Sequence, residues 1–532
     1  MEDNISNLAT KMIICIKVLI KIIYVVGDKM KYQNPIIPGF YPDPSICKEG
    51  NNYYLVTSSF EYFPGVPIFR SNDLINWEQI GHCLTRKSQL NLEECECSGG
   101  IFAPTIRYHQ GKFYMITTTY VKNNIKAFYV STENPEEEWS EPVYIDITGI
   151  DPSLYFENGK TFVQYADYSE GISVIKQVEI ELTSGKLLCE PKIISYGCGG
   201  RDVEAPHLFK RDSWYYLMLA EGGTREGHMV TLSRGKSIWG PFESCPYNPI
   251  LSNRDKAIEK IQCVGHADFV EGDNGEVWMV ALGTRPFKHR SILGRETMLT
   301  QAFWTDDGWI KSKEGYMPFE VEINRDIIQK MKSEYCLDFT KKKLPLELTS
   351  LRSDITKNIS FNNDTLEVIG NTYTLNDIAS PMFLAFRQNS YTFETTTSIE
   401  FEPEREEQEA GLAILMDNEH HMELVITLRN NKKVLLLRKK VADLIQEKIY
   451  KLHDQHKNIE LKISGSEEKY YFSHKDKNNN WIQLDWTFTK HLSSESTFSI
   501  FTGVVVGLYV TGGNTAYVSK LNYNVLGEYI SS

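Results

Sequence analysis

The chain has 532 residues, of which 41% are hydrophobic and 12% aromatic, and it carries a formal net charge of −13. That length asks for two domains, or three, and the composition excludes a disordered or transmembrane chain. The acidic balance, with no long Lys/Arg block, argues against nucleic acid or a membrane surface as partner and leaves neutral polar ligands open.

The first segment, "MIICIKVLIKIIYVVG" at residues 12–27, is apolar but interrupted by Lys17 and Lys21. It is shorter than the ~20 apolar residues that a membrane span needs. Acids precede it where a signal peptide wants basic residues, and no small-residue cleavage site follows. Residues 1–30 are therefore expected to be either a nonstandard extension, with the natural start at Met30, or a targeting segment, and a cytoplasmic location is expected.

Next comes "GFYPDPSI", residues 39–46, which sets Asp43 between two prolines. Gly39, Pro42 and Pro44 suit a rigid turn that an Asp caps well. The same frame would hold a charged base in one orientation. Five phrases then recur: "EGNNYYLVTS", "HQGKFYMITT", "ENGKTFVQYA", "KRDSWYYLMLA" and "DNGEVWMVAL". Each is a polar turn feeding an aromatic and β-branched run. Aligning Tyr54, Tyr114, Phe162, Tyr216 and Trp278 gives spacings of 60, 48, 54 and 62 residues, about one four-stranded sheet per unit. Radial repetition of such sheets predicts a five-bladed β-propeller over residues 31–325. A linker is expected over 326–339. Alternating strands over 340–532, such as "SYTFETTTSIEFEP", "HHMELVITL" and "NIELKISG", predict a β-sandwich. In "KKVLLLRKK" the charges read as solvated edge or flank residues.

All ten cysteines lie between Cys15 and Cys336. Cys95 and Cys97 in "EECECSGG" lack the second cluster that a metal or redox site would need, so reduced structural thiols are expected.

A propeller's central channel gathers groups distant in sequence, and three acids stand out by context. Asp43 in "YPDPSI" and Asp151 in "GIDPSLYF" occupy corresponding points of separate repeats, and Glu204 in "GRDVEAPHLF" is confined by Ala205 and Pro206. Paired carboxylates suit acetal hydrolysis, in which one group protonates the leaving oxygen and another activates water. A Glu desolvated near other acids would have the raised pKa of a proton donor. Two turn-capping aspartates and a surface glutamate are the plain alternative.

Taken in order, "NPIIPGFYPDPSI", "FEYFPGVPIFRSNDLINWEQIGH", "SGGIFAPTIRYHQGKFYMITT", "DPSLYF", "RDVEAPHLF", "EGGTREGH", "VGHADFV" and "GRET" resemble glycoside hydrolase family 43, in its two-domain β-xylosidase branch. The resemblance covers nearly everything after residue 33. It implies an all-β protein, a five-bladed propeller followed by a sandwich, that hydrolyses glycosides with inversion. Asp43 would be the general base, Asp151 would tune and position the acid, and Glu204 would be the general acid. Arg295 and Thr224 would bind the sugar in the first subsite. His266 would sit below it, holding a water or a bound cation, with calcium the candidate. Phe60 and Phe102 would line the slot, with Phe102 where relatives have tryptophan. Phe501, in a sandwich loop, would close the pocket and make it exo-acting. For Thr224, His266 and the three phenylalanines, turn or core packing is the alternative. Tyr41 stands where Asn is common, and "EECECSGG" departs from the usual rim loop.

The expected activity is an exo-β-1,4-xylosidase acting on xylobiose and short xylo-oligosaccharides, without an organic cofactor. An α-L-arabinofuranosidase or a dual-specificity enzyme is the alternative within the class, and a non-catalytic carbohydrate-binding propeller the alternative outside it. The resemblance also implies a homodimer or homotetramer.

Overall fold

The computed structural model describes residues 30–272, 275–452, 457–497 and 501–527. Nearly all of the N-terminal segment, residues 1–29, lies outside the described residues. Five antiparallel sheets follow one another along the first part of the chain. Their innermost strands are Ser45–Glu49, Thr105–His109, Ile150–Glu157, Glu204–Arg211 and Gln262–Glu271. Each of these adjoins the next and the last returns to the first, which closes a five-bladed ring. The repeated aromatics Tyr54, Tyr114, Phe162, Tyr216 and Trp278 all fall in the second strand of their blade. These strands read as near-continuous apolar runs because blades pack on both of their faces. Met30–Gln33 pairs with Glu320–Ile323, Tyr32 opposite Val321, and so ties the two ends of the propeller together.

The inner strands are irregular where they enter the channel. Asp43, Asp151 and His266 have φ of 55°, 53° and 49°, a region that non-glycine residues seldom occupy. Pairing registers slip between Ile150 and Ser153, Glu204 and His207, and Gly265 and Asp268. Such bulges re-aim a side chain out of the pleat. Here they sit at the channel mouth, where the functional candidates lie.

The second domain is a sandwich of two antiparallel sheets. One centres on Thr515–Val525, flanked by Thr365–Ile369 and Phe393–Glu400. The other runs Met382–Arg387, Val505–Thr511, Glu409–Asp417, His420–Arg429, Lys432–Val441, Leu444–Lys451. Within Glu409–Asp417 the alternation is strict. Leu412, Ile414 and Met416 enter the core between the sheets, while Ala413 and Leu415 pack with Phe40 and Tyr62 of the propeller. The strands Met382–Arg387, Val505–Thr511 and Glu409–Asp417 of the second sheet are thus buried on both faces. Strand Ser350–Leu351 also pairs with Tyr62–Phe63 across the domain boundary.

Two expectations are corrected. The stretch 326–339, read as linker, contributes Glu334–Cys336 to the sandwich sheet, against Thr515–Val525; three residues are too few for a period-2 signal. Lys432–Val441 is not an edge, because it is paired on both sides. Its Arg438 reaches the buried carboxylates of Glu409 and Glu423.

Candidate active site

The channel mouth carries a small cavity of about 60 Å3. Its walls include Asp43, Asp151 and Glu204 together with Phe60, Phe102, Thr224, His266, Arg295 and Phe501, so the structure brings every candidate residue into one cup. Four of the five blades supply the inner-strand entries, while Phe102 comes from the second blade and Phe501 from the sandwich.

Asp43 is buried, and burial alone would raise its pKa. The Arg295 guanidinium is the strongest of several groups that together outweigh this, donating from its two terminal nitrogens to Oδ1 at 3.0 Å and Oδ2 at 3.4 Å. His266 Nδ1 stands 3.6 Å from Oδ1, and the Ser58 hydroxyl donates to Oδ2 at 2.5 Å. The net effect lowers the pKa, so Asp43 is ionised over the neutral and mildly acidic range.

Glu204 is driven the other way. Desolvation raises it to about 6, with Asp202 and Asp43 pushing in the same direction, while the Tyr168 hydroxyl, which donates to Oε1, holds it down. Asp151 is raised further, first by burial and then by the charges of Glu204 and Asp43. Asp151 and Glu204 interact, so they titrate as a pair and retain a proton where Asp43 has none. An ionised carboxylate and a protonated carboxyl facing one cup can run proton transfer in both directions at once.

An aromatic wall completes the cup. Phe501 stacks on Phe60 at 5.7 Å and meets Phe102 edge-on at 6.1 Å, and Phe60 and Phe102 lie 5.9 Å apart. Arg295 connects this wall to the acids: Nε donates to the Phe501 carbonyl at 3.4 Å, a terminal nitrogen to Thr224 Oγ1 at 3.2 Å, and the guanidinium lies 5.0 Å from the Phe501 ring centre. The two domains meet here backbone to backbone. Gly294 has φ 76°, and a Cβ on it would come within 3.0 Å of Gly503 Cα and 2.6 Å of Phe40 Cβ. Val504 N donates to Ile292 O at 2.9 Å in the same contact. Glycine on both sides is what lets the Arg295 strand and the Phe501 loop approach so closely.

Sequence reasoning missed Ser58 and Tyr168, which hold the two carboxyls, and His228, which lines the cup. His228 donates from Nδ1 to Cys263 O at 3.1 Å, and burial depresses it to about 3, leaving it neutral. It closes the "EGGTREGH" phrase, and Ser58 follows the first repeated strand, so only their position beside other signals could have marked them.

Among the described residues, no group of three or more His, Cys, Asp or Glu is placed to hold a metal. Calcium takes six to eight oxygen ligands. Beside His266 the nearby carboxylate is Asp43, whose oxygens are already engaged by Arg295 and Ser58, so these residues do not form a direct calcium cage. Cys95 and Cys97 are free thiols, and burial pushes both upward, Cys97 to about 12. Such thiols are inert. Cys97 Sγ donates to Asn418 Oδ1 at 3.3 Å, fastening the rim loop to the sandwich.

No helix among the described residues is long and apolar enough to cross a membrane. The profile described as Glycosyl hydrolases family 43 matches residues 32–310, and that of the Beta xylosidase C-terminal Concanavalin A-like domain matches residues 336–524. A non-reducing end alpha-L-arabinofuranosidase of Bacteroides ovatus is 36% identical over 502 residues, covering 93% of this chain and 94% of the relative. A beta-xylosidase of Bacillus subtilis is 32% identical over 526 residues, 91% and 97% of the two chains. Among solved structures, a xylan beta-1,4-xylosidase from Bacillus halodurans superposes with a TM-score of 0.87 at 32% identity, over 92% of this chain and 99% of that one.

Proposed function

The chain belongs to glycosyl hydrolases family 43 and is a glycoside hydrolase, and we propose that it removes single pentose residues from the non-reducing ends of arabinose- and xylose-containing oligosaccharides, with inversion. α-L-Arabinofuranosides come first and β-1,4-xylosides second. This reverses the order expected from sequence. The arabinofuranosidase relative matches at 36% over nearly the full length of both chains, and the β-xylosidase relative at 32%.

The observation that carries the reading is the opposed titration of Asp43 and Glu204 within one cup. Asp43 takes a proton from water as its oxygen bonds to the anomeric carbon. Glu204 gives its proton to the departing oxygen as the glycosidic bond breaks. Bulk water then reverses both charges, since the product leaves with one water added and no net change in protons. Asp151, raised by burial and by the Glu204 charge, shares the pair's proton with Glu204 and helps to position it. Arg295 fixes Asp43 from one side and offers its one remaining N–H to a sugar hydroxyl. Phe60, Phe102 and Phe501 present apolar faces to the sugar's C–H groups. A cup walled at one end by Phe501 takes a chain terminus and excludes a chain interior.

The test compares kcat/KM for aryl α-L-arabinofuranoside and aryl β-D-xyloside, with NMR of the first anomer released. Inversion gives β-L-arabinose and α-D-xylose initially. The retained anomer would overturn the mechanism, and a higher kcat/KM on the xyloside would restore the xylosidase-first order. Asp43→Ala and Glu204→Ala should each lose ~10²- to 10⁴-fold on a natural disaccharide.

A further inference from the structure

Next to Phe60 in the chain lies a buried acid that the proposed chemistry does not use. Glu61 is 1% exposed and does not line the cup. Burial pushes its carboxyl up to about 7, against the pull of Arg352 and of the backbone N–H groups of Glu61 and Ser98. Taking a carboxylate out of water costs stability that an apolar side chain of similar size would not. The hydrogen bonds around Glu61 show what it holds.

Glu61 Oε2 accepts from Ser98 N at 3.1 Å, and Ser98 Oγ accepts in turn from Phe501 N at 3.3 Å. The acid thus stands two hydrogen bonds from the ring that the sandwich lends to the cup. The backbone is left-handed at both Phe60, with φ 49°, and Ser98, with φ 59°. Non-glycine residues stay there only where their surroundings fix them. Phe60 N donates to Ile101 O at 3.0 Å and Ile101 N returns the bond to Phe60 O at 3.1 Å. From the sandwich, Arg352 N donates to Glu61 O at 2.7 Å and Arg352 Nε to Cys95 O at 2.5 Å. Glu61 therefore sits where the first blade, the rim loop and the sandwich meet.

We propose that Glu61 is a positioning residue for sugar binding: through Ser98 it holds the Phe501 loop against Phe60 and sets how tightly the cup closes on a pentose. The inference rests on the cup being the sugar site, and not on which pentose fills it. The charged and titratable groups facing the carboxylate are Arg352 and Asp417 from the sandwich, Cys95 and Cys97 from the rim loop, and Tyr62 beside it in the chain. Asp417 is itself paired with His420 at 2.9 Å. All of these are common to the parent and a Glu61→Gln variant, so the ratio of the two isolates Glu61.

The test is steady-state kinetics of the full chain on whichever aryl pentoside it turns over faster, with hydrogen–deuterium exchange of the peptide carrying Phe501. Glu61→Leu should raise KM about tenfold with kcat changed less than about threefold, and should speed exchange in that peptide about fivefold or more. In a Phe501→Ala background the same change should move KM less than about twofold, because the ring it positions is gone. Glu61→Gln keeps a neutral acceptor for Ser98 N. At pH 5.5 the parent's carboxyl is itself protonated, so the two should share one KM; at pH 8 the ionised carboxylate makes the stronger, charge-assisted bond, and the KM of the Gln variant should be about threefold higher. Should Glu61→Leu fail to fold, Glu61→Gln and Ser98→Ala, which removes the acceptor for Phe501 N, decide by the same readouts. Unchanged KM or unchanged exchange in the folded variants, an equal rise in KM with and without the Phe501 ring, or a Gln-to-parent ratio that ignores pH would each overturn the proposal. A parent that hydrolyses neither pentoside would contradict the functional reading instead, and the exchange measurement would then decide this one alone.

Discussion

Tyr168→Phe isolates the group that restrains the proposed acid. The hydroxyl donates to Glu204 Oε1 and follows burial as the strongest influence on that carboxyl, favouring its ionised form. A hydrogen bond to a charged group is worth about 1.5–3 kcal/mol. Tyr168 is 44% exposed, so water replaces part of what the hydroxyl gave. Keeping about half leaves ~0.8–1.5 kcal/mol, or about half to one pH unit. Removing the donor raises the pKa of Glu204, so the group that must be protonated stays protonated to higher pH. The alkaline limb of kcat/KM, expected near 6 in the parent, should move upward by about half to one pH unit, with some loss on the plateau because a weaker acid transfers its proton less readily. The assay is kcat/KM from pH 4 to 9 on phenyl α-L-arabinofuranoside, whose poor leaving group needs protonation. An unmoved limb, or one shifted to lower pH, would refute the assignment of Glu204 as the proton donor.

Ser58→Ala deletes the 2.5 Å hydrogen bond that favours ionised Asp43. The base should then hold its proton to higher pH, and the acid limb of the same profile should move upward while the alkaline limb stays. Phe501→Ala removes the ring stacked on Phe60 and a face of the cup; burying a Phe is worth about 1.5–3 kcal/mol, so KM should rise about tenfold or more with kcat changed less, as steady-state kinetics will show. Arg438→Met takes the principal cation from the buried carboxylates of Glu409 and Glu423, leaving Arg429 at 3.9 Å from the first and His421 at 3.0 Å from the second. Loss of one partner from a buried pair costs about 3–5 kcal/mol, which urea denaturation would register as a lower midpoint.

The propeller was legible because each blade's second strand joins a polar turn to an aromatic within a buried run, from Tyr54 to Trp278, and that phrase survives the loss of all other similarity. Asp43, Asp151 and Glu204 stood out through the prolines beside them, which constrain the same backbone that the structure bends into left-handed or bulged conformations. Tyr168 and Ser58 left no such mark. Each acts through one hydroxyl placed by blade geometry, and Tyr168 lies 36 residues from its partner on the next blade. Arg438 was misread for a related reason. A charge within a strand looks solvated until register sets it opposite Glu423, and until the neighbouring domain covers that face.

The Phe501 loop belongs to one fold, and everything its ring touches belongs to another. One face of the proposed sugar pocket therefore sits in a different domain from the proposed proton-handling residues. Drift in a loop that moves no proton can reshape which sugar end is accepted, while the proton-handling residues stay under their own constraint. A lineage could wander between pentoses this way without ever passing through a dead enzyme.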